Sequence, residues 1–140
     1  MQTGNNNSFF DFKDSELLKR IPLNSKVILE IGCGNGMLGY EFKRMNPNVK
    51  YIGIESSTIY GEIANQRLDS VIIGDVENYS IWLDKLPKID CLILKNFDQN
   101  IKQPILLLNK ISDFLRNESV IVSLFSNTNN WRYLEKFFKD

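Results

Sequence analysis

The stretch LEIGCGNGMLG, residues 29–39, contains four glycines at the end of an apolar run, and two ligand-binding patterns overlap in it. The first is G-x-G-x-G, which begins at Gly32 and is preceded by the acid Glu30. The second is G-x-G-x-x-G, which runs from Gly34 to Gly39. Glycines at these spacings permit a tight turn and a close approach of ligand to backbone. Both patterns predict a binding loop between a strand and a helix.

Strand-like and helix-like segments alternate along the chain around this loop. Residues 26–31, KVILEI, form the nearly continuous apolar run that is typical of a parallel strand covered on both faces. The segments between such runs repeat apolar residues at helical spacing, which predicts a parallel, doubly wound α/β sheet with helices on both faces. The predicted strands are 26–31, 49–55, 70–74, 89–95 and 119–125, and the predicted helices are 14–21, 36–45, 57–68, 79–86, 104–115 and 130–140.

Individual side chains refine this prediction. We expect Ser15 to cap the first helix and Ser57 or Thr58 to cap the third. Apolar side chains at helical spacing are expected to face the core. The expected core residues on or near helices are Leu38, Phe42, Met45, Trp82, Ile105, Leu108, Ile111, Phe114 and Leu115.

The composition narrows the function classes. A chain of 140 residues suits a single domain, over residues 1–140, in which the polar residues 1–8 are expected to be disordered. Seventeen basic and 17 acidic residues give no net charge, so nucleic acid is not an expected partner. The absence of histidine removes the commonest general base and metal ligand, and no metal site is predicted.

The cysteines and the hydropathy predict the compartment. Cys33 and Cys91 are too few for a disulfide framework, and neither is expected to be paired. The sequence shows no leader-like segment and no long apolar run. We therefore expect a cytoplasmic protein without membrane contact.

An acid at the end of the second predicted strand fits both glycine patterns. Glu55 follows Gly34 by 21 residues. An acid about 20 residues after such a loop binds the hydroxyls of a ribose in nucleotide-binding folds. Glu55 therefore predicts a ribose-containing cofactor without deciding which one.

Two further acids distinguish between the cofactors. Glu30 would repel the pyrophosphate of NAD, whereas S-adenosylmethionine (SAM) has no phosphate and carries an ammonium and a sulfonium. Asp75, just past the third strand, is placed to accept a hydrogen bond from an adenine amine. Structural alternatives exist for both: Glu30 would complement the dipole of the following helix, and Asp75 would form a turn. Acids at three consecutive strand ends favour SAM.

These motifs, in this order, resemble those of the class I SAM-dependent methyltransferases, and especially a small bacterial group associated with sugar and surface-polysaccharide biosynthesis. The resemblance extends from about Phe10 to Trp131 and implies a Rossmann-like sheet with strand order 3-2-1-4-5. It rests on VILEIGCGNGMLG (27–39), YIGIESS (51–57), RLDSVIIGDVEN (67–78), KIDCLIL (88–94) and SVIVSLFSNTNNW (119–131).

The resemblance implies a role for each matching position. The methionine part of SAM is expected beside the loop, and the adenosine part beside the ends of the second and third strands. The implied residues are Glu30, Gly32, Cys33, Gly34, Gly36 and Asn96 for the methionine part, Glu55 for the ribose, and Ser56, Asp75 and Val76 for the adenine. The implied product of methyl transfer is S-adenosylhomocysteine (SAH).

The sequence departs from these relatives where they carry histidine. After strand four they usually have an acid followed by histidine, and Gln99 and Asn100 stand here instead. After strand five, the position of a second histidine is occupied by Asn130. Asparagine can position a hydroxyl but cannot take its proton. No catalytic residue is assigned. The candidates are Asp98, the nearest replacement base in the sequence, and the two asparagines Asn100 and Asn130.

The second departure lies at the carboxyl terminus. The relatives continue with an antiparallel hairpin beside strand five, and this sequence ends at Asp140 without one. An apolar edge strand invites pairing, so we expect a homodimer formed through the strand-five edge or the C-terminal helix.

Three functions remain at this point. The first is a SAM-dependent methyltransferase with a small-molecule or sugar-type acceptor. The second is a non-catalytic, methyltransferase-like binding or partner subunit that has kept or lost the SAM pocket. The third, a nicotinamide-dependent oxidoreductase, is disfavoured by Glu30.

Overall fold

The computed structural model describes residues 12–95 and 97–124, without the side chains of residues 12, 13, 98 and 99. Helices and strands alternate in this part of the chain as the sequence predicts. The elements are α1 (Phe12–Arg20), β1 (Val27–Ile31), α2 (Met37–Met45), β2 (Lys50–Glu55), α3 (Thr58–Asn65), β3 (Ser70–Ile73), β4 (Ile89–Lys95), α4 (Phe97–Asn100), α5 (Pro104–Ser112) and β5 (Leu115–Leu124), with 3₁₀ turns at Tyr79–Ile81 and Leu83–Lys85.

The five strands form one sheet in the order β3-β2-β1-β4-β5, which confirms the predicted fold. Every strand pair is parallel. The order reverses beside β1, which pairs with β2 on one side and β4 on the other. Ligands in such sheets bind outside the carboxyl ends of the strands at this reversal.

Alternation along the strands divides the core into two layers. On β1, Leu29 and Ile31 pack with Trp82 and α5, whereas Ile28 packs with α1 and α2. β4 divides in the same way, with Leu92 on the first face and Ile93 on the second. The sheet is therefore covered on both sides, which explains the nearly continuous apolar runs of its central strands.

The structure corrects the start of the first helix. α1 begins at Phe12, so Ser15 lies inside the helix and the prediction that it is the cap is wrong. The helix begins two residues before the predicted start, and its Asp14 forms an ion pair with Lys95 on β4. The predicted cap of the third helix is confirmed, since Ser57 Oγ accepts a hydrogen bond from the Tyr60 N–H at 3.3 Å.

Two residues expected in the core are exposed. Met45 is 49% exposed at the end of α2, and Ile105 is 42% exposed in the first turn of α5. In α5 the buried face is formed by Leu107, Leu108 and Ile111. Ile105 lies off that face, so extending the helical pattern to it was wrong.

The boundary between α5 and β5 differs from the predicted one. α5 ends at Ser112, and β5 begins at Leu115, which pairs with Ile89. The polar residues 116–119, expected to precede the strand, form a bulge opposite the single residue Asp90. Hydrogen bonds from the Ile89 N–H to Phe114 O and from Ser119 Oγ to Ile89 O hold this irregular end of the strand pair.

Residues 79–86, expected as a short helix, form the two 3₁₀ turns around Trp82, which is fully buried as expected. Phe114 and Leu115 are partly buried against the same core layer. The expectations for residues 1–8 and for a helix at 130–140 lie outside the described residues. Within the described ranges, no helix has both the length and the apolar character needed to cross a membrane.

Candidate functional site

A cleft of about 500 Å³ opens at the carboxyl ends of β1 to β4, where the sequence predicts the ligand. Its volume falls in the range of small-molecule and cofactor sites, about 300–1,000 Å³. The described residues that line it are Ile31, Gly32, Gly34, Ile54, Glu55, Ser56, Tyr60, Gly74, Asp75, Val76, Lys95, Phe97, Asn100 and Ile101.

Two glycines of the loop form the floor of this cleft and leave space for a ligand. Gly32 has φ of 81°, and a Cβ there would lie 3.0 Å from Lys95 O. Gly34 has φ of 56°, and a Cβ there would meet no atom within 4 Å. Both conformations favour glycine, and the open space above Gly34 faces the cleft.

Glu55 joins the end of β2 to the glycine loop. Its Oε1 accepts a hydrogen bond from the Gly34 N–H at 2.8 Å, and its Oε2 accepts one from the Ser57 N–H at 2.9 Å. These bonds hold the carboxylate rigidly at the cleft wall. A carboxylate oxygen has more than one lone pair, so both oxygens retain acceptor capacity for ligand hydroxyls.

The loop after β3 forms the neighbouring wall. Asp75 is exposed, and its Oδ1 accepts a hydrogen bond from the Glu77 N–H at 2.9 Å, which is the turn predicted as its structural alternative. Val76 is fixed from behind, because Trp82 Nε1 donates to its carbonyl oxygen at 2.8 Å. Asp75 and Val76 nevertheless line the cleft side by side, as the adenine assignment requires.

Glu77 connects this wall to the opposite one. Its two carboxylate oxygens accept hydrogen bonds from the Lys102 and Gln103 N–H groups, at 3.0 and 2.9 Å. The bonds hold the two residues that immediately precede α5. The segment that carries Asn100 and Ile101 is thus held against the loop that carries Asp75.

Glu30 is in a different environment from the other acids. It is fully buried, and Tyr51 Oη donates a hydrogen bond to its Oε1 at 2.6 Å. Its Oε2 has no hydrogen-bond partner in the described part of the chain and lies 3.8 Å from Lys95 Nζ. Burial raises the pKa of Glu30 to about 7, against the lowering influence of Lys95 and Tyr51. Glu30 is not among the described residues that line the cleft.

Lys95, at the end of β4, contributes the basic group of the cleft wall. Its Nζ lies 2.8 Å from Asp14 Oδ1 on α1, and only 18% of its side chain is exposed. Asp14 itself is buried. This ion pair, which joins residues 81 positions apart, connects the first helix to the cleft.

The remaining predicted residues divide into three groups. Ser56 and Asn100 are exposed and line the cleft. Cys33 and Gly36 are buried below it, and burial raises the pKa of the Cys33 thiol well above its usual range. Asn96, the side chain of Asp98, and Asn130 lie outside the described residues.

Sequence reasoning missed several lining residues. Lys95 and Tyr60 are the polar ones, and Phe97 and Ile101 supply apolar surface. Lys95 ends a predicted strand beside the glycine loop, so its position was a signal that could have identified it. Tyr60 lies in the first turn of α3, directly after the Ser57 cap, and its position follows from that helix start.

The donor and acceptor set fits an adenosine-containing, phosphate-free cofactor. The described lining residues include two carboxylates, Glu55 and Asp75, and one ammonium, from Lys95. The space above Gly34 allows a ligand to contact the loop backbone. Among the described residues no group of three or more His, Cys, Asp or Glu side chains is placed to hold a metal ion.

Comparisons with known proteins agree with this geometry. A family model described as "Methyltransferase domain" matches residues 23–137. The ribosomal RNA large subunit methyltransferase G of Vibrio parahaemolyticus serotype O3:K6 (strain RIMD 2210633) is 35% identical over 54 residues, which cover 37% of this chain and 14% of that protein.

Solved structures share the fold. The plantazolicin methyltransferase BpumL, in complex with a pentazolic desmethylPZN analog and SAH, superposes with a TM-score of 0.63 at 26% identity, over 87% of this chain and 47% of BpumL. The precorrin-6y C5,15-methyltransferase from Geobacter metallireducens GS-15 has a TM-score of 0.70 at 18% identity, over 91% of this chain and 69% of that chain. This second likeness concerns the fold alone.

The match to the family model extends over most of the chain, although the chain spans only about half the length of BpumL. The BpumL structures contain SAH, which agrees with SAM as the cofactor of the family. The chain therefore belongs to the class I SAM-dependent methyltransferase family.

Proposed function

We propose that this chain binds SAM in the cleft at the carboxyl ends of β1 to β4 and transfers its methyl group to a small-molecule acceptor. SAM supplies an electrophilic methyl group on a sulfonium. The chain would contribute mainly binding and orientation, and orientation alone supplies a large part of the barrier reduction in such displacements.

The observation that carries this proposal is the position of Glu55. Its carboxylate is fixed by backbone N–H groups on both sides, at the cleft wall and next to the open space above Gly34. A carboxylate held in this way is preorganised to accept hydrogen bonds from a ribose diol. Ser56, Asp75 and Val76 extend the same wall and would enclose the adenine.

We assign the other end of the cleft to the methionine part of the cofactor. Gly32 and Gly34 form its floor, and Glu30 and Cys33 lie beneath them. Glu30 would act on the cofactor ammonium through the electrostatic field of its buried carboxylate. Gly36 and Asn96 retain the roles that the family resemblance implies.

A small-molecule or sugar-type acceptor is supported by the charge of the chain. Equal numbers of basic and acidic residues provide no excess attraction for a phosphate backbone. The rRNA methyltransferase with sequence similarity is matched over only 14% of its length. A nucleic-acid acceptor is thus the less favoured alternative.

One observation favours a second function, a methyltransferase-like binding subunit without activity. Asn100 lines the cleft where the relatives usually carry histidine, and its amide cannot accept a proton. If Asp98 does not replace the missing base, an acceptor that needs deprotonation would not react. An amine or carboxylate acceptor would still be methylated, because it requires less help from a base.

The cofactor assignment is tested by titrating the chain with SAH, SAM and NAD in a calorimeter. Binding of SAH and SAM, together with no binding of NAD, supports the proposal. Binding of NAD alone would contradict it. Thermal unfolding provides a second readout, because a ligand at about a hundredfold excess over its dissociation constant stabilises the folded state by about 2.7 kcal/mol.

Activity is tested separately with radiolabelled SAM and pools of amines, carboxylates and sugar hydroxyls. Methyl incorporation into a member of these pools supports the enzyme. SAH binding without methyl incorporation into any of these pools, or into RNA added as a further acceptor, supports the binding subunit.

We also propose that the chain works as a single cytoplasmic domain that self-associates. The two thiols, Cys33 and Cys91, are free and buried, which agrees with a reducing compartment. Within the described residues β5 pairs only with β4, so its other edge is available for a second copy. Sedimentation velocity over a concentration series tests this, and a monomer at every concentration would contradict it.

A further inference from the structure

We infer that Lys95 is the anchor for the α-carboxylate of the cofactor, so that the chain selects ligands that carry a complete amino-acid group. The inference rests on the proposed binding of SAM and adds to it a specificity-determining residue. It arises from the distribution of charge around the cleft.

The charges of the cleft are separated along its length. Glu55 and Asp75 lie at the ends of β2 and β3, whereas Lys95 lies at the end of β4. Within the described part of the chain, Lys95 is the only basic residue that lines the cleft. A Cβ added at Gly32 would lie 3.0 Å from the Lys95 carbonyl oxygen, so Lys95 lies at the glycine-loop end of the cleft.

The ammonium of Lys95 is held in place. Asp14 Oδ1 lies 2.8 Å from Nζ, and Glu30 Oε2 lies 3.8 Å from it. The side chains of all three residues are largely removed from solvent, at 18%, 10% and 0% exposure for Lys95, Asp14 and Glu30. A cation with fixed neighbours loses little freedom when a ligand arrives. The two carboxylates offset part of its charge, so its contact with an anion depends on its position at the cleft as well as on its charge.

Ligand chemistry then identifies the group that Lys95 would meet. SAM and SAH each carry one anionic group, the α-carboxylate, at the end of the molecule opposite the adenine. With the adenine beside Asp75, the carboxylate end reaches the β1 and β4 side of the cleft. A charge-assisted hydrogen bond forms there between the Lys95 ammonium and the carboxylate. Asp14 acts as a positioning residue that keeps the ammonium at the wall.

The test combines a change in the protein with a change in the ligand. The ligands are SAH and decarboxylated SAH, which keeps the ammonium and lacks only the carboxylate. The proteins are the wild type and Lys95→Met, and the readout is the dissociation constant from calorimetry. We expect the wild type to bind SAH about 10- to 100-fold more tightly than decarboxylated SAH, and Lys95→Met to bind both within about threefold.

Each outcome separates the inference from the proposed function. If the wild type binds neither ligand, the proposed function fails. If the wild type binds both equally well, or if Lys95→Met weakens both by the same factor, Lys95 is a structural residue and the inference is wrong. Tighter binding of SAM by Lys95→Met, with SAH unchanged, would show that Lys95 repels the sulfonium and would also overturn it.

Two further variants protect the test against misfolding. Lys95→Met leaves Asp14 and Glu30 without their counter-charge, so the double variant Asp14→Asn/Lys95→Met restores the balance and is expected to show the same loss of ligand discrimination. Lys50→Met is the matched control, because it makes the same change at an exposed residue at the amino end of β2. Its discrimination between the two ligands is expected to equal that of the wild type.

Discussion

Glu30 and Glu55 appear equivalent in the sequence, since each lies at or near the carboxyl end of a central strand. In the structure Glu55 is partly exposed and both its oxygens accept backbone hydrogen bonds, whereas Glu30 is fully buried with one oxygen bonded to Tyr51. Both carboxylates accept hydrogen bonds from within the fold, but of the two only Glu55 lines the cleft.

The register of the sheet explains this difference. Glu30 pairs with Gly53, and Glu55 lies two residues further along β2. Two residues of strand correspond to about 7 Å, with side chains on the same face of the sheet. That distance takes the carboxylate from the interior under α2 to the end of the sheet. An acid near the carboxyl end of a strand therefore lines the cleft only if the neighbouring strand does not continue past it.

The largest expected effect is on how the free energy of unfolding depends on pH, through the titration of Glu30. Its pKa of about 7 in the folded protein lies above the usual glutamate value of about 4.5, so the unfolded chain loses this proton first as the pH rises. The free energy of unfolding should fall by about 3 kcal/mol between about pH 4.5 and 7 from this group alone. In Glu30→Gln this contribution should disappear.

Urea denaturation of both proteins at pH 5 and pH 7.5 measures that difference. Glu62→Gln, on an exposed position of α3, is the matched control and should follow the wild type. Identical pH dependence in Glu30→Gln and the wild type would mean that Glu30 is not a buried acid, and the contrast with Glu55 would be lost.

For Glu55 the expected effect is on ligand binding. Glu55→Ala removes the acceptor for the ribose hydroxyls and leaves the Gly34 and Ser57 N–H groups without their partner. We expect SAH affinity to fall by about 30-fold, equivalent to about 2 kcal/mol. Calorimetric titration checks the affinity, with Glu62→Ala as the control. Wild-type affinity in Glu55→Ala would remove Glu55 from the site.

The smallest effect tests how Glu55 is held. Ser57→Ala removes the α3 cap but keeps the backbone N–H that binds Glu55 Oε2. Loss of a serine cap costs about 1 kcal/mol. We expect that loss in urea denaturation and SAH affinity within about threefold of the wild type. A larger loss of affinity would indicate that the helix cap, and not the backbone contact alone, positions the carboxylate.

Much of the architecture follows from local sequence signals. The strand runs, the glycine loop and the spacing of Glu55 predict the sheet and one wall of the cleft, because each depends on neighbouring residues and on general rules of α/β folds. The observed strand order also agrees with the order that the family resemblance implies. The turn at Asp75 was anticipated as an alternative, and the residue both forms that turn and lines the cleft.

What the sequence did not predict depends on contacts between distant residues. The ion pair of Asp14 with Lys95 accompanies the earlier start of α1 and holds a basic group at the cleft. No local sequence pattern indicates this contact. The burial of Glu30 depends on the register between β1 and β2. The bulge at residues 116–119 depends on how β5 meets Asp90, and its polar residues resemble an ordinary loop.

The bridge made by Glu77 has a consequence for how a ligand enters and leaves. Separating the 75–77 loop from the start of α5 would break two hydrogen bonds to one carboxylate, so these two walls of the cleft resist separation. We therefore expect the cleft to open more readily between walls that no such bridge joins.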